Sequence, residues 1–152
     1  MKVADEPTSR KFIGKAHIRN LLEGEWVGMV NDQGEQMEGI RGRAGVAALT
    51  LEGRVIGSDL IEMQPDHAFP LHSHAGQHIL YVVRGTGVIH MDGVDHPIRE
   101  GDTIFVPAEY PHGVKTPKGA PGPLVLLAIG YPHRRIDAQD RMYTVLNHSQ
   151  GD

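Results

Sequence analysis

Between Val46 and Ile129 short apolar runs recur at near-regular spacing, each closed by glycine, proline or aspartate, and no long amphipathic helix interrupts them. The runs Val46–Leu51 and Val55–Met63 flank a Glu52-Gly53-Arg54 turn and predict a hairpin. His78–Arg84, Val88–Met91 and Val94–Arg99 predict a meander whose second corner, Asp92-Gly93, has the composition of a type I′ turn. Thr103–Val106, His112–Thr116 and Leu124–Ile129 follow, and the 19 glycines and 10 prolines supply the corners that so many short strands require. The pattern predicts an all-β fold. Closing such a sheet into a barrel removes its exposed edges, and the barrel mouth becomes a natural ligand site.

The rest of the chain is less regular. Residues 1–16 read as a frayed polar lead, and Ile18, Leu21, Leu22 and Trp26 fall at helical spacing but are interrupted by Gly24 and Gly28, so a short helix or docking segment is expected there. Residues 31–44 read as loop, and Pro65 to Pro70 as a connector. At 152 residues one domain is expected, with an N-terminal extension over 1–44, a barrel over 45–131 and a C-terminal tail over 132–152.

Composition narrows the partners. The net charge is −4, and Arg134-Arg135 is the sole basic cluster, so neither nucleic acid nor an anionic membrane is expected as a partner. The amino terminus has no apolar leader and no run approaches the length of a membrane span, which predicts a cytoplasmic protein. There is no cysteine, so any metal would be held by nitrogen and oxygen.

Four histidines carry the chemistry. His72, His74 and His78 fall within seven residues, and alternation along a strand puts the first two on one face, with His78 on the same face if the strand resumes after Ala75-Gly76-Gln77. Neutral imidazole suits divalent transition metals near physiological pH. A solvated histidine-rich loop would not run straight into Ile79-Leu80-Tyr81-Val82-Val83, which has the apolarity of a core strand.

These two histidine-bearing stretches resemble the paired motifs of the cupin family. The first motif, G-x5-H-x-H-x3,4-E-x6-G, matches at His72, His74 and Gly85, with His78 in the glutamate position and Asp66 in that of the leading glycine. The second, G-x5-P-x-G-x2-H-x3-N, matches at Gly101, Pro107 and His112, with Glu109 replacing the glycine and Thr116 the asparagine. The resemblance implies a jelly-roll-like conical β-barrel over about residues 45–131, with one divalent metal held by His72, His74, His112 and His78, in a small cupin of the four-histidine type.

Histidine in place of glutamate leaves the full charge on the ion, which favours an anionic or chelating oxygen ligand. An octahedral ion with four protein ligands keeps two positions open. Manganese or iron is the favoured metal; nickel, cobalt and copper also suit the ligand set. A zinc closed by all four histidines would be structural, and a three-histidine centre without His78 is the other alternative.

Near the metal, Glu109, Tyr110 and His133 are the expected proton-transfer groups; for His133, a solvated place in the tail is the competing reading. Inward parity gives Leu80, Val82 and Val114 to the pocket walls and turns Tyr81 away. His90, His96, His17, His67 and His148 read as surface or satisfied side chains. The implied activity is that of a metal-dependent enzyme on a small oxygen-bearing molecule, with dioxygenation of an enolisable ketone or diketone first. Redox-neutral isomerase, cyclase, decarboxylase or lyase chemistry is next, then a non-catalytic metal- or ligand-binding module. A homodimer, paired through the early strands or the Trp26 segment, is expected in each case.

Overall fold

Eleven strands in two antiparallel sheets account for nearly all the regular structure of the computed structural model, which describes residues 11–145. The strands are β1 (Val27–Val30), β2 (Gln36–Leu49), β3 (Val55–Met63), β4 (His67–Ser73), β5 (Gln77–Arg84), β6 (Thr86–Met91), β7 (Val94–Arg99), β8 (Thr103–Val106), β9 (His112–Thr116), β10 (Leu124–Tyr131) and β11 (Tyr143–Thr144). One sheet runs β1-β2-β3-β10-β5-β8 and the other β11-β4-β9-β6-β7. The sheets face each other across an apolar core built by alternation: Ile61 and Met63 of β3, Leu80 and Val82 of β5, and Leu124, Leu126 and Ala128 of β10 meet Phe69, Ile89, Ile98 and Val114 from the opposite sheet.

Apart from β4 and β11, the strands from Val55 onward lie where the apolar runs place them. Asp92 and Gly93 both have positive φ, 52° and 74°, so the β6–β7 corner has the left-handed pair that a type I′ turn needs, with Met91 paired to Val94. β2 and β3 form the expected hairpin, closed by the Leu49–Val55 pair.

Three expectations are corrected. Residues 31–44 are not a loop: from Gln36 they form the first half of β2, paired to β1 and β3. Gly42, one of the glycines that suggested a loop, serves close approach, since a Cβ there would lie 2.6 Å from Ile136. The Pro65–Pro70 connector is largely β4; Pro70 lies where the β4–β9 register slips between Phe69 and His72, a break in the ladder that suits a residue with no N–H. The segment with helical spacing around Trp26 is not helical either. Among the described residues the one α-helical turn is Gly14–His17, and Trp26 leads into β1 with Arg41 and Arg43 stacked against its ring at 4.0 and 4.2 Å.

Residues 132–145 return across one end of the sandwich rather than into solvent. Ile136 and Met142 enter the core, β11 pairs with Ser73 and His72 of β4, and the Val145 N–H donates to the Leu71 carbonyl. No helix among the described residues is long and apolar enough to cross a membrane. Residues 1–10 of the polar lead, and the tail from 146 with His148, lie outside the described residues.

Candidate metal centre

The histidines converge because of the ladder that carries them. His72 on β4 and His112 on β9 are register partners, and their ring centroids are 4.2 Å apart. His74, just beyond the end of β4, lies 4.9 Å from His112, centroid to centroid. Each of the three offers one ring nitrogen to a set whose members all lie within 4.8 Å of one another, and all three residues are buried. His78, the second residue of β5, lies opposite Gly130 of β10, with its ring 4.2 Å from that of His74, but it is not part of that close group.

Backbone carbonyls set the orientation of the rings. Nδ1–H donates to the Pro70 carbonyl in His72 (2.7 Å), to the Gly76 carbonyl in His74 (2.7 Å) and to the Tyr110 carbonyl in His112 (2.8 Å). A carbonyl can only accept, so each neutral ring carries its proton on Nδ1 and leaves the Nε2 lone pair free. This second-sphere arrangement is the one that metal-binding histidines use. His78 has no such hydrogen bond among the described residues; its ring rests on Gly130, where a Cβ would come within 2.8 Å of Nε2.

Burial keeps the cluster uncharged. The His74 pKa is lowered to about 4, first by desolvation and then by the neighbouring His112. Burial likewise holds His72 and His78 well below the usual histidine range, and it lowers His112. The positive charge of Arg141 adds to the effect on His72, His74 and His78. Three buried, neutral imidazoles with free Nε2 lone pairs and no carboxylate among them form a donor set that fits a divalent transition metal.

The other expected site residues lie around this cluster in different ways. Glu109 is exposed, with φ of 58°, and its N–H donates to the His74 carbonyl at 2.7 Å. It therefore keeps the left-handed backbone for which the motif has glycine, as Asp66 does with φ of 66°. Thr116, in the asparagine position, donates its buried hydroxyl to the Met63 carbonyl. The Tyr110 phenol donates to Asp92 in the β6–β7 corner, which raises the phenol pKa.

His133 is not solvated. It is 5% exposed, its Nε2 lies 2.8 Å from Asp59 Oδ2, and its buried Nδ1 has no partner. Arg141 Nη1 donates to the same Asp59 oxygen at 2.9 Å and to the Arg134 carbonyl at 2.8 Å. Asp59 and Arg141 were not anticipated. A signal was present: Asp59 shares the inward parity of Ile61 and Met63, and a carboxylate at a core position needs a cationic partner. That partner lies 82 positions away, which no local pattern can reveal.

A cavity of about 40 Å³ beside the cluster is lined by His74, His78, Arg134, Asp140, Arg141 and Tyr143, among others. A larger groove of about 790 Å³ runs by Trp26, Arg41 and Gln64 on another part of the surface and includes none of the four histidines. Size does not mark the chemistry here, because His74 and His78, two of the buried histidines with lowered pKa, line the small cavity.

Two facing antiparallel sheets that draw histidines from β4, β5 and β9 to one end define a jelly-roll protein with an imidazole cluster in its cup. Residues 59–130, just under half of the chain, match the family model described as Cupin domain, and the fold is that of the cupins. It is 28% identical over 86 residues to dimethylsulfoniopropionate lyase DddW of Ruegeria pomeroyi, covering 56% of this chain and 53% of that protein. It is 34% identical over 56 residues to an oxalate-binding protein of Thermotoga maritima, covering 36% of this chain and 46% of that one. The chain thus spans about half the length of the curated relatives it matches. Among solved structures, the polyketide cyclase RemF of Streptomyces resistomycificus superposes with a TM-score of 0.62 at 17% identity, over 87% of this chain and 91% of that one. KdgF from Halomonas sp. gives 0.62 at 16%, over 77% and 94%. At those identities the likeness is one of fold.

Proposed function

We propose that this cupin is a metal-dependent enzyme acting on a small oxygen-bearing organic substrate. The observation that carries the reading is the convergence of three buried imidazoles whose Nδ1 atoms are all committed to backbone carbonyls. His72, His74 and His112 would hold the ion, with His78 as a fourth ligand, and the ion would supply Lewis acidity toward an oxygen substituent of the substrate. Manganese or iron is the metal we favour, since both accept an octahedral site with positions left for substrate. Leu80, Val82 and Val114 give the cup apolar walls that exclude water around the polar cluster. Glu109 and Tyr110 stand in the loop before His112, and we retain them as proton-transfer groups; His133, bound to Asp59, stands behind the cluster rather than at the reacting atoms.

Dioxygenation of an enolisable ketone or diketone is the specific reaction proposed first, because a centre whose ligands include no carboxylate favours a substrate that binds as an anion through two chelating oxygens. A redox-neutral lyase or decarboxylase is the second reading, favoured by the likeness to a lyase. A binding module without turnover is the third, favoured by the likeness to an oxalate-binding protein. We place the protein in the cytoplasm as a homodimer, with the exposed apolar face of Ile79, Tyr81 and Phe105 as support for pairing. Oxygen uptake by manganese- or iron-loaded protein given 1,3-diketones separates the readings. Consumption of one oxygen per substrate supports the dioxygenase, substrate loss without oxygen uptake supports the redox-neutral enzyme, and binding with neither supports the module.

A further inference from the structure

Arg141 is buried in a way that a purely structural ion pair does not require. Its guanidinium is 8% exposed as a residue, and both of its hydrogen bonds, to Asp59 Oδ2 and to the Arg134 carbonyl, are made by Nη1 alone. The Nε–Nη2 edge, which presents two parallel N–H groups, has no protein partner among the described residues. That residue lines the small cavity together with His74 and His78. Asp59 is fully buried on β3 and is itself held by His133, so the arginine is pinned from behind by two side chains that the solvent does not reach. Residues 132–145 fold across this end of the sandwich and thereby deliver the arginine to the cup.

Charge points the same way. Arg141 is balanced by Asp59, and Arg134, also at the cavity, by Asp140 at 3.5 Å. With neutral histidines, the dipositive charge of an ion would be left for the substrate to balance. An anion that meets both the ion and a bidentate guanidinium edge satisfies that requirement in one group, and a carboxylate has the matching planar fork. A cavity of about 40 Å³ holds little more than one carboxylate group, so that group would enter it while the rest of a small acid stays outside.

We propose that Arg141 is the substrate-carboxylate clamp of this site, its Nε–Nη2 edge gripping a short carboxylic acid, with Asp59 and His133 as the positioning residues that hold the guanidinium in place. The inference rests on the metal-centre reading above and adds a substrate class to it.

Malonate and catechol distinguish the two. Both chelate a metal, but catechol has no carboxylate. Calorimetric titration of the metal-loaded protein should give malonate binding that weakens at least tenfold in Arg141→Gln, while metal content and catechol affinity stay as in the parent. Arg141→Lys, which keeps the charge but loses the fork, should recover only part of the loss. Because Arg141→Gln leaves Asp59 buried without its cation, the double variant Asp59→Asn/Arg141→Gln is measured beside it and should show the same loss in a stable protein. Unchanged malonate affinity in either variant, at full metal content, overturns the clamp. Failure of the parent protein to take up metal or to bind catechol overturns the metal centre instead.

Discussion

His72 and His112 lie directly opposite each other on the β4–β9 ladder, 40 positions apart in the chain, with ring centroids separated by 4.2 Å. The register of one strand pair thus sets the spacing of two donors, and the Nδ1 bonds to Pro70 and Tyr110 set their direction. A site built this way has its geometry fixed by backbone, so substitutions that spare the ladder should change metal affinity without disturbing the fold.

His78→Ala addresses the fourth ligand. The ring lies 4.2 Å from His74 yet outside the close group of three. As a ligand, it should weaken metal affinity at least tenfold on removal, read by competition with a chromophoric chelator. Parent-like affinity would define a three-histidine centre.

Gly130→Ala tests the support behind that ring. The added methyl would sit 2.8 Å from His78 Cδ2 and Nε2, forcing the imidazole aside. Overpacking of this kind costs about 1–3 kcal/mol. We expect a lower melting temperature in denaturation scans and an altered d–d spectrum in the cobalt-substituted protein; an unchanged spectrum would mean that His78 does not ligate.

The apoprotein should lose stability as the pH falls from about 6.5 to about 4. His74 has its pKa lowered to about 4 in the fold, so over that window the unfolded chain binds the proton that the native state refuses. Below the folded value His74 is protonated in both states and its share of the loss is complete. By linkage His74 alone accounts for about 3 kcal/mol, and His72, displaced in the same direction, adds to it. Urea titrations of metal-free protein between pH 4 and 7 measure the slope, and a flat profile would contradict the burial described here.

Asp59→Ala should destabilise the protein by about 3–5 kcal/mol, because it leaves the guanidinium of Arg141 buried without a counter-charge. The effect should centre on residues 132–145, which His133 and Arg141 tie to β3. Hydrogen exchange in that segment is the readout, and protection equal to that of the parent would argue against the tether.

How much was legible in the sequence varied with how local the cause was. Asp92-Gly93 announced its turn because positive φ at two consecutive positions demands such residues, and the strands from Val55 onward, β4 and β11 apart, announced themselves as apolar runs. β2 did not. Its inner positions include Gly42, which makes room for Ile136, and its outer positions carry Arg41 and Arg43 against Trp26, so the apolar alternation that marks a strand is missing. The histidine motifs gave the cluster directly, since spacing within each motif is local and the ladder that joins them follows from the fold. The Asp59–His133–Arg141 group was hidden because its members come from β3 and from a segment that reads as polar tail, and their contact exists only once that segment folds back.

The central claim is that imidazoles from two separate segments hold one divalent cation. Elemental analysis of the protein purified without added metal, set beside His112→Ala prepared identically, tests it most directly. We predict close to one transition-metal ion per chain in the parent and less than a tenth of that in the variant. A parent protein that carries no metal and binds none when divalent ions are supplied, or a variant that keeps its full complement, would contradict the account.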